Sequence, residues 1–131
     1  MKPIVLCYNL KGTAKMKKIS MIFGFLGYKI RHVEKQEYAM TIEEVLERAE
    51  RLEETESTAA SEGFTDEMLV IGADTEDRLD KALFLMRQEK VSVPLKAVIT
   101  PTNLSWTSLA LHDEIAEEHE YMTNQQKGKQ N

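Results

Sequence analysis

Hydrophobic and polar positions alternate along this chain in a way that names most of its elements. Ile4 to Tyr8 is a continuous apolar run, the pattern of a strand buried on both faces. Asn9 to Thr13 reads as a turn. Met16, Ile19, Phe23 and Leu26 follow at spacings of three and four, which predicts an amphipathic helix over about 14–26, with Gly27 as its C-terminal cap. Tyr28 to Val33 alternates and predicts a half-buried strand at an edge. Thr41 and Glu44 form a capping box at the start of a helix over 42–54, with Ile42, Val45, Leu46, Ala49 and Leu52 inward. Met68 to Ile71 is a third strand, followed by the turn Gly72-Ala73-Asp74. Thr75 then caps a helix carrying Glu76 and Asp77 in its first turn and Leu79, Ala82, Leu83 and Met86 on its buried face. Lys96 to Thr100 is a fourth strand, ended by Pro101. Asn103 or Ser105 is expected to cap the last helix, where Leu104, Leu111, Ile115 and Met122 share a stripe.

Strand and helix thus alternate four times. That order predicts one α/β domain over 1–122: a four-stranded, mainly parallel sheet with helices packed on it, of flavodoxin-like type. The alternative is a ferredoxin-like α+β sandwich with residues 35–66 inserted and the last helix appended. Residues 55–63 are expected to be a mobile loop and 123–131 a disordered polar tail. No internal repeat is legible.

Charge refines this picture more than composition does. The formal net charge is −5 over 131 residues, yet residues 1–36 carry eight Lys/Arg against Glu34 alone. Residues 37–80 carry fifteen Asp/Glu against three Arg, and 81–131 balance at six and six. Cys7 is the one cysteine, so no internal disulfide is expected and the cytoplasm is the default location. The most apolar run, Ile19 to Leu26, is too short to span a bilayer, and its flanks do not resemble a signal peptide.

Candidate chemistry gathers at two places. In an open parallel sheet, ligands collect outside the carboxyl ends of the strands. Asn9, Asp74, Thr100, Thr102, Asn103 and Trp106 are therefore the ligand-binding candidates. An Asp after the third strand and a Thr after the fourth resemble a response-regulator receiver. However, Tyr8-Asn9 stands where a receiver has acids, and no fifth strand with its Lys follows. Asp74 then reads as part of a helix cap. The second place is the start of the first helix. Lys11, Lys15, Lys17 and Lys18 sit where the helix dipole disfavours cations. Lys11, Gly12, Thr13 and Lys15 are the anion-binding candidates, with the acidic helix 42–54 as a competing partner within the chain or across a dimer. No P-loop is present. Phe23 and Phe25, beside these lysines, are read as core.

His112 and His119 lie seven apart and read as surface histidines, without the spacing of a metal site. Cys7 with His32 is the one nucleophile–base combination to name, against a buried inert thiol. No catalytic residue, metal or cofactor is assigned.

The run Lys96-Ala97-Val98-Ile99-Thr100-Pro101-Thr102-Asn103, then Trp106-Thr107 and Glu117-Glu118-His119-Glu120, resembles a family of short bacterial proteins classed as a domain of unknown function. Val5 to Asn9 and Thr65 to Val70 also carry the resemblance, which extends to about residue 122. It implies membership and no activity. The expectation is a cytoplasmic, non-catalytic domain that binds a small anionic ligand or a protein, including a second copy of itself. The alternative is an enzyme acting at the strand-end rim on a phosphorylated or nucleotide-like molecule. Nucleic-acid binding through the first-helix lysines is opposed by overall acidity and the lack of a recognisable motif.

Overall fold

The computed structural model of the chain describes residues 2–51 and 63–129. Apart from Gly63, the loop expected at 55–63 lies outside the described residues, as does Leu52. The elements are β1 (Ile4–Tyr8), α1 (Ala14–Phe25), β2 (Lys29–His32), α2 (Ile42–Arg51), β3 (Met68–Gly72), α3 (Glu76–Gln88), β4 (Leu95–Val98) and α4 (Ser108–Lys129). Short 3-10 turns precede α2 at Lys35–Glu37 and α4 at Asn103–Ser105. The backbone of α4 continues to Lys129, through most of the stretch expected to be a disordered tail.

The strands form one sheet in the order β2-β1-β3-β4. β1 pairs with β2 in parallel, with Cys7 opposite His32, and β3 pairs with β4 in parallel, with Val70 opposite Ala97. The architecture is thus α/β with a mainly parallel sheet. The central pair departs from the flavodoxin-like order, because β1 and β3 run antiparallel with Leu6 opposite Val70. Hydropathy is blind to this. Both central strands are buried at all five positions, whichever way each runs.

Alternate residues of the central strands face two cores. Ile4, Leu6, Tyr8, Met68 and Val70 pack with Ile42 and Val45 of α2 and Leu111 of α4. Val5, Cys7, Leu69 and Ile71 pack with Ile19, Phe23, Ala82 and Met86 of α1 and α3 on the other face. Helices one and three share one face and helices two and four the other.

The sequence β1-α1-β2-α2 is therefore repeated as β3-α3-β4-α4 about a pseudo-two-fold axis normal to the sheet, between β1 and β3. Residue identity hides the repeat, but the helix ends expose it. Gly27 and Lys90, 63 positions apart, are both left-handed, with φ of 85° and 57°. The next amide closes the same motif in both: Tyr28 N donates to Phe23 O at 2.8 Å and Val91 N to Met86 O at 2.9 Å. The capping box at α2 forms as expected, with Thr41 N donating to Glu44 Oε1 and Glu44 N to Thr41 Oγ1. Thr75 accepts from Arg78 N at the start of α3.

The two C-caps make opposite predictions. Gly27→Ala forces a Cβ into the left-handed region, 3.1 Å from Arg78 Nη1, and should lower stability by about 1 kcal/mol. Lys90→Gly relieves the same strain and should raise it by about 0.5 kcal/mol. Urea denaturation of the two variants checks both signs.

Candidate functional site

At the carboxyl ends of β1 and β2 the surface opens into a pocket of about 460 Å³, lined by residues from Cys7 to Lys11 and His32 to Tyr38. The register places Cys7 beside His32 at its floor. Burial pushes the Cys7 thiol up to about 12, so it stays protonated. Burial, then the nearby Lys11 ammonium, holds the His32 imidazole below its usual value, so it is neutral at pH 7. Burial likewise raises the Tyr38 phenol to about 12. Above these neutral groups stand Lys11 and Glu34, 3.4 Å apart and largely exposed, with Lys35 and Gln36 beside them.

The wall between this pocket and β3 is a polar lock. Asn9 is left-handed, with φ of 59°. Its Nδ2 donates to the carbonyls of Phe64 and Asp66, each at 2.9 Å, and its Oδ1 accepts from the Tyr38 hydroxyl at 3.3 Å. The Phe64 ring stacks on Tyr38 at 4.5 Å and on His112 at 3.8 Å. His112 Nε2 lies 2.8 Å from Asp66 Oδ2, and the Tyr8 hydroxyl lies 2.8 Å from Ser108 Oγ. His112 is therefore buried, contrary to the expected surface position, and only His119 is exposed. Tyr38 follows directly on Glu37, a fully buried carboxylate that accepts from Arg31 and from Glu34 N.

The other candidates are placed differently. Because β1 and β3 are antiparallel, Asn9 lies at one end of the sheet and Asp74, Thr100 and Asn103 at the opposite end. The convergent rim expected from an all-parallel order does not form. Asp74 is held by Arg78 at 2.6 Å, which keeps its carboxyl below the usual range, and Arg78 also donates to the Leu26 carbonyl at the end of α1. Asn103 is consumed by its own turn: its Oδ1 accepts from Thr100 N, its Nδ2 donates to Val98 O, and Thr100 Oγ1 accepts its amide. It therefore does not cap α4. Thr107 does, accepting from Ala110 N. Thr102 is exposed, and Trp106 is half-buried against the α2/α4 core with its carbonyl accepting from Ile42 N.

The basic cluster is also partly committed. Lys15 donates to Glu67 at 2.6 Å and to Ser92 O at 2.8 Å, and Lys18 donates to Glu89 O. Thr13 Oγ1 donates to Leu10 O, and Gly12 takes a left-handed turn with φ of 80°. Of the four anion-binding candidates, only Lys11 lines the pocket. The acidic helix α2 packs on the opposite face of the sheet from α1, which removes it as their partner within the chain.

Two features escaped the sequence reading. The pocket uses Gln36 and Tyr38, which follow a short edge strand with little hydropathy signal, and His32, the last residue of that strand, which the sequence offers only as a partner for Cys7. The second is apolar: Met21, Phe25 and Phe84 are exposed on α1 and α3, so Phe25 is not core. Its signal was present, since each lies two residues from a buried position and so about 200° around the helix.

Among the described residues, no group of three or more His, Cys, Asp or Glu side chains is placed to hold a metal ion. None of their helices is long and apolar enough to cross a membrane.

Residues 67–122 match a domain of unknown function (DUF3783). The match covers β3, α3, β4 and the first part of α4, and so the second half of the pseudo-two-fold pair; it leaves out the pocket. No curated protein and no solved structure matches the chain.

Asn103→Ala strands the Thr100 amide and the Val98 carbonyl and should cost about 2 kcal/mol, whereas Thr102→Ala should change stability by less than about 0.5 kcal/mol, both read by urea denaturation. Folding lowers the proton affinity of His32, so the unfolded chain takes up the proton first. Its contribution to stability is complete above 6.5 and is lost as pH falls through that value toward the lower folded one. His32→Gln should flatten that part of a stability–pH profile taken between about pH 7.5 and about pH 5.

Proposed function

We propose that the protein is a non-catalytic binding domain whose ligand is a small anionic molecule, a carboxylate or a phosphate ester, held in the pocket at the carboxyl ends of β1 and β2. The observation that carries this reading is the pocket itself. At about 460 Å³ it is the size of a small-molecule site, and it lies outside the ends of two parallel strands, where α/β sheets bind ligands. Its lining offers neutral hydrogen-bonding groups from His32 and Gln36. Its rim carries Lys11 and Lys35 against Glu34, a net positive mouth. The Cys7 thiol in the lining is held protonated by burial, which supports binding over thiolate chemistry.

The test is a two-dimensional NMR titration with a panel of small carboxylates and phosphate esters. Shifts should cluster at residues 7–11 and 32–38, and Lys11→Ala should weaken binding several-fold, about 1 kcal/mol for an exposed charge. Shifts confined to other parts of the chain, or none at millimolar ligand, overturn the reading. Turnover of a panel member that is lost in Cys7→Ser would replace binding by catalysis.

A further inference from the structure

The outer surface of the α1/α3 layer is built to be covered. Met21 is 72% exposed, Phe25 83% and Phe84 55%, three large apolar side chains on two adjacent helices. Met21 and Phe84 occupy equivalent positions under the 63-residue offset set by the C-caps, so they flank the pseudo-two-fold axis. On the opposite layer, residues 42–48 of α2 and 108–119 of α4 include no large apolar side chain exposed to this degree. Exposed aromatic side chains grouped in this way mark an interaction site rather than ordinary surface.

The charge on this face says what covers it. α1 and α3 run antiparallel: Lys18, near the start of α1, reaches the Glu89 carbonyl at the end of α3, and Arg78, near the start of α3, reaches the Leu26 carbonyl at the end of α1. One end of the layer therefore collects Lys17, Lys18, Arg87 and Lys90 against Glu89 alone. There, Lys15, Lys18 and Lys90 line a groove of about 330 Å³ whose lining holds no acid. The other end collects Asp74, Glu76, Asp77 and Asp80 in the first turns of α3 against Arg78 and Lys81, which pair with Asp74 at 2.6 Å and Asp77 at 3.1 Å, so that Glu76 and Asp80 stand in excess. A basic end, an apolar centre and an acidic end lie in line along the helices.

We propose that a second copy of this chain covers this face, forming a two-fold dimer whose axis lies in the plane of the helix layer and runs across α1 and α3. A two-fold interface must be self-complementary. An axis along the helices would lay basic end on basic end. An axis across them lays each acidic end on the other copy's basic end, satisfying both at once, and brings the apolar centres together. The surface is separate from the ligand pocket, so the dimer and the binding reading stand or fall independently.

Sedimentation of the full chain across the micromolar range tests it. The wild-type chain should form a dimer. Phe84→Glu should raise the dissociation constant at least about 100-fold, and Phe25→Ser should raise it too, with thermal melts showing that both stay folded, since both side chains are exposed. Asp80→Lys and Arg87→Glu should each weaken the dimer about 10-fold, and the double variant, whose ends are swapped but still complementary, should return to within about 3-fold of wild type. A wild-type chain that stays monomeric throughout overturns the proposal and leaves the face to a different protein. A dimer indifferent to Phe84→Glu places the contact elsewhere and overturns it as well. Failure of the double variant to recover rules out the crosswise axis.

Discussion

One side chain ties the entry of β3 to the end of β1. Asn9 ends β1 in a left-handed conformation that L-residues other than Asn and Asp rarely adopt. Its carboxamide then spends both polar atoms outside its own strand, on the carbonyls of Phe64 and Asp66 and on the Tyr38 hydroxyl. The segment leading into β3 is thereby held at the point where β1 leaves the sheet, and β3 runs back along β1 from there. The antiparallel centre that this contact holds gives the two opposed strand-end edges and separates Asn9 from Asp74, Thr100 and Asn103. The aromatic stack of Tyr8, Tyr38, Phe64 and His112 fills the space that this lock encloses.

Local features were legible in the chain because local chemistry decides them. The strands, the Thr41/Glu44 box, the Thr75 cap and the buried stripe of α1 all depend on neighbours within a few residues. Strand direction was not legible, because a strand buried on both faces has the same hydropathy read either way. The candidate site suffered in proportion: Asn9 and Lys11 border a pocket, but the residues grouped with them sit at the far end. The 96–107 run looked chemical because it is polar, and the side chains of Lys96, Thr100, Asn103, Ser105 and Thr107 prove to be bonded to backbone. Asn103 alone satisfies groups of Thr100 and Val98, and Trp106 and Thr107 tie the start of α2 to the start of α4. His112 misled in the opposite sense, since a histidine stacked on a ring 48 positions away leaves no trace in its own helix.

The strong charge asymmetry of the sequence also acquires a spatial meaning. The lysines of α1 lie on the opposite face of the sheet from the acidic helix α2. They tie down loops: Lys15 holds Glu67 and the Ser92 carbonyl, and Lys18 holds the Glu89 carbonyl. Such contacts, partly exposed, add little stability singly. Their effect is to fix the loop joining α3 to β4 against the start of α1, leaving one end of the helix layer basic and the other acidic.

The antiparallel seam also governs what the chain exposes while it is being assembled. Each β-α-β half contributes one inner strand, Ile-Val-Leu-Cys-Tyr or Met-Leu-Val-Ile-Gly, that is wholly apolar and hydrogen-bonded on one side only until the halves meet. An open edge of that composition is a template for pairing with another chain. Once the seam closes, the open edges become β2 and β4, short strands bearing Lys29 and Arg31 on one and Lys96 on the other, and basic side chains at an edge discourage further strand addition. Because the seam joins residues at least sixty positions apart, its closure carries a larger chain-entropy cost than the pairing within either half, and until it closes these two apolar edges are open to aggregation.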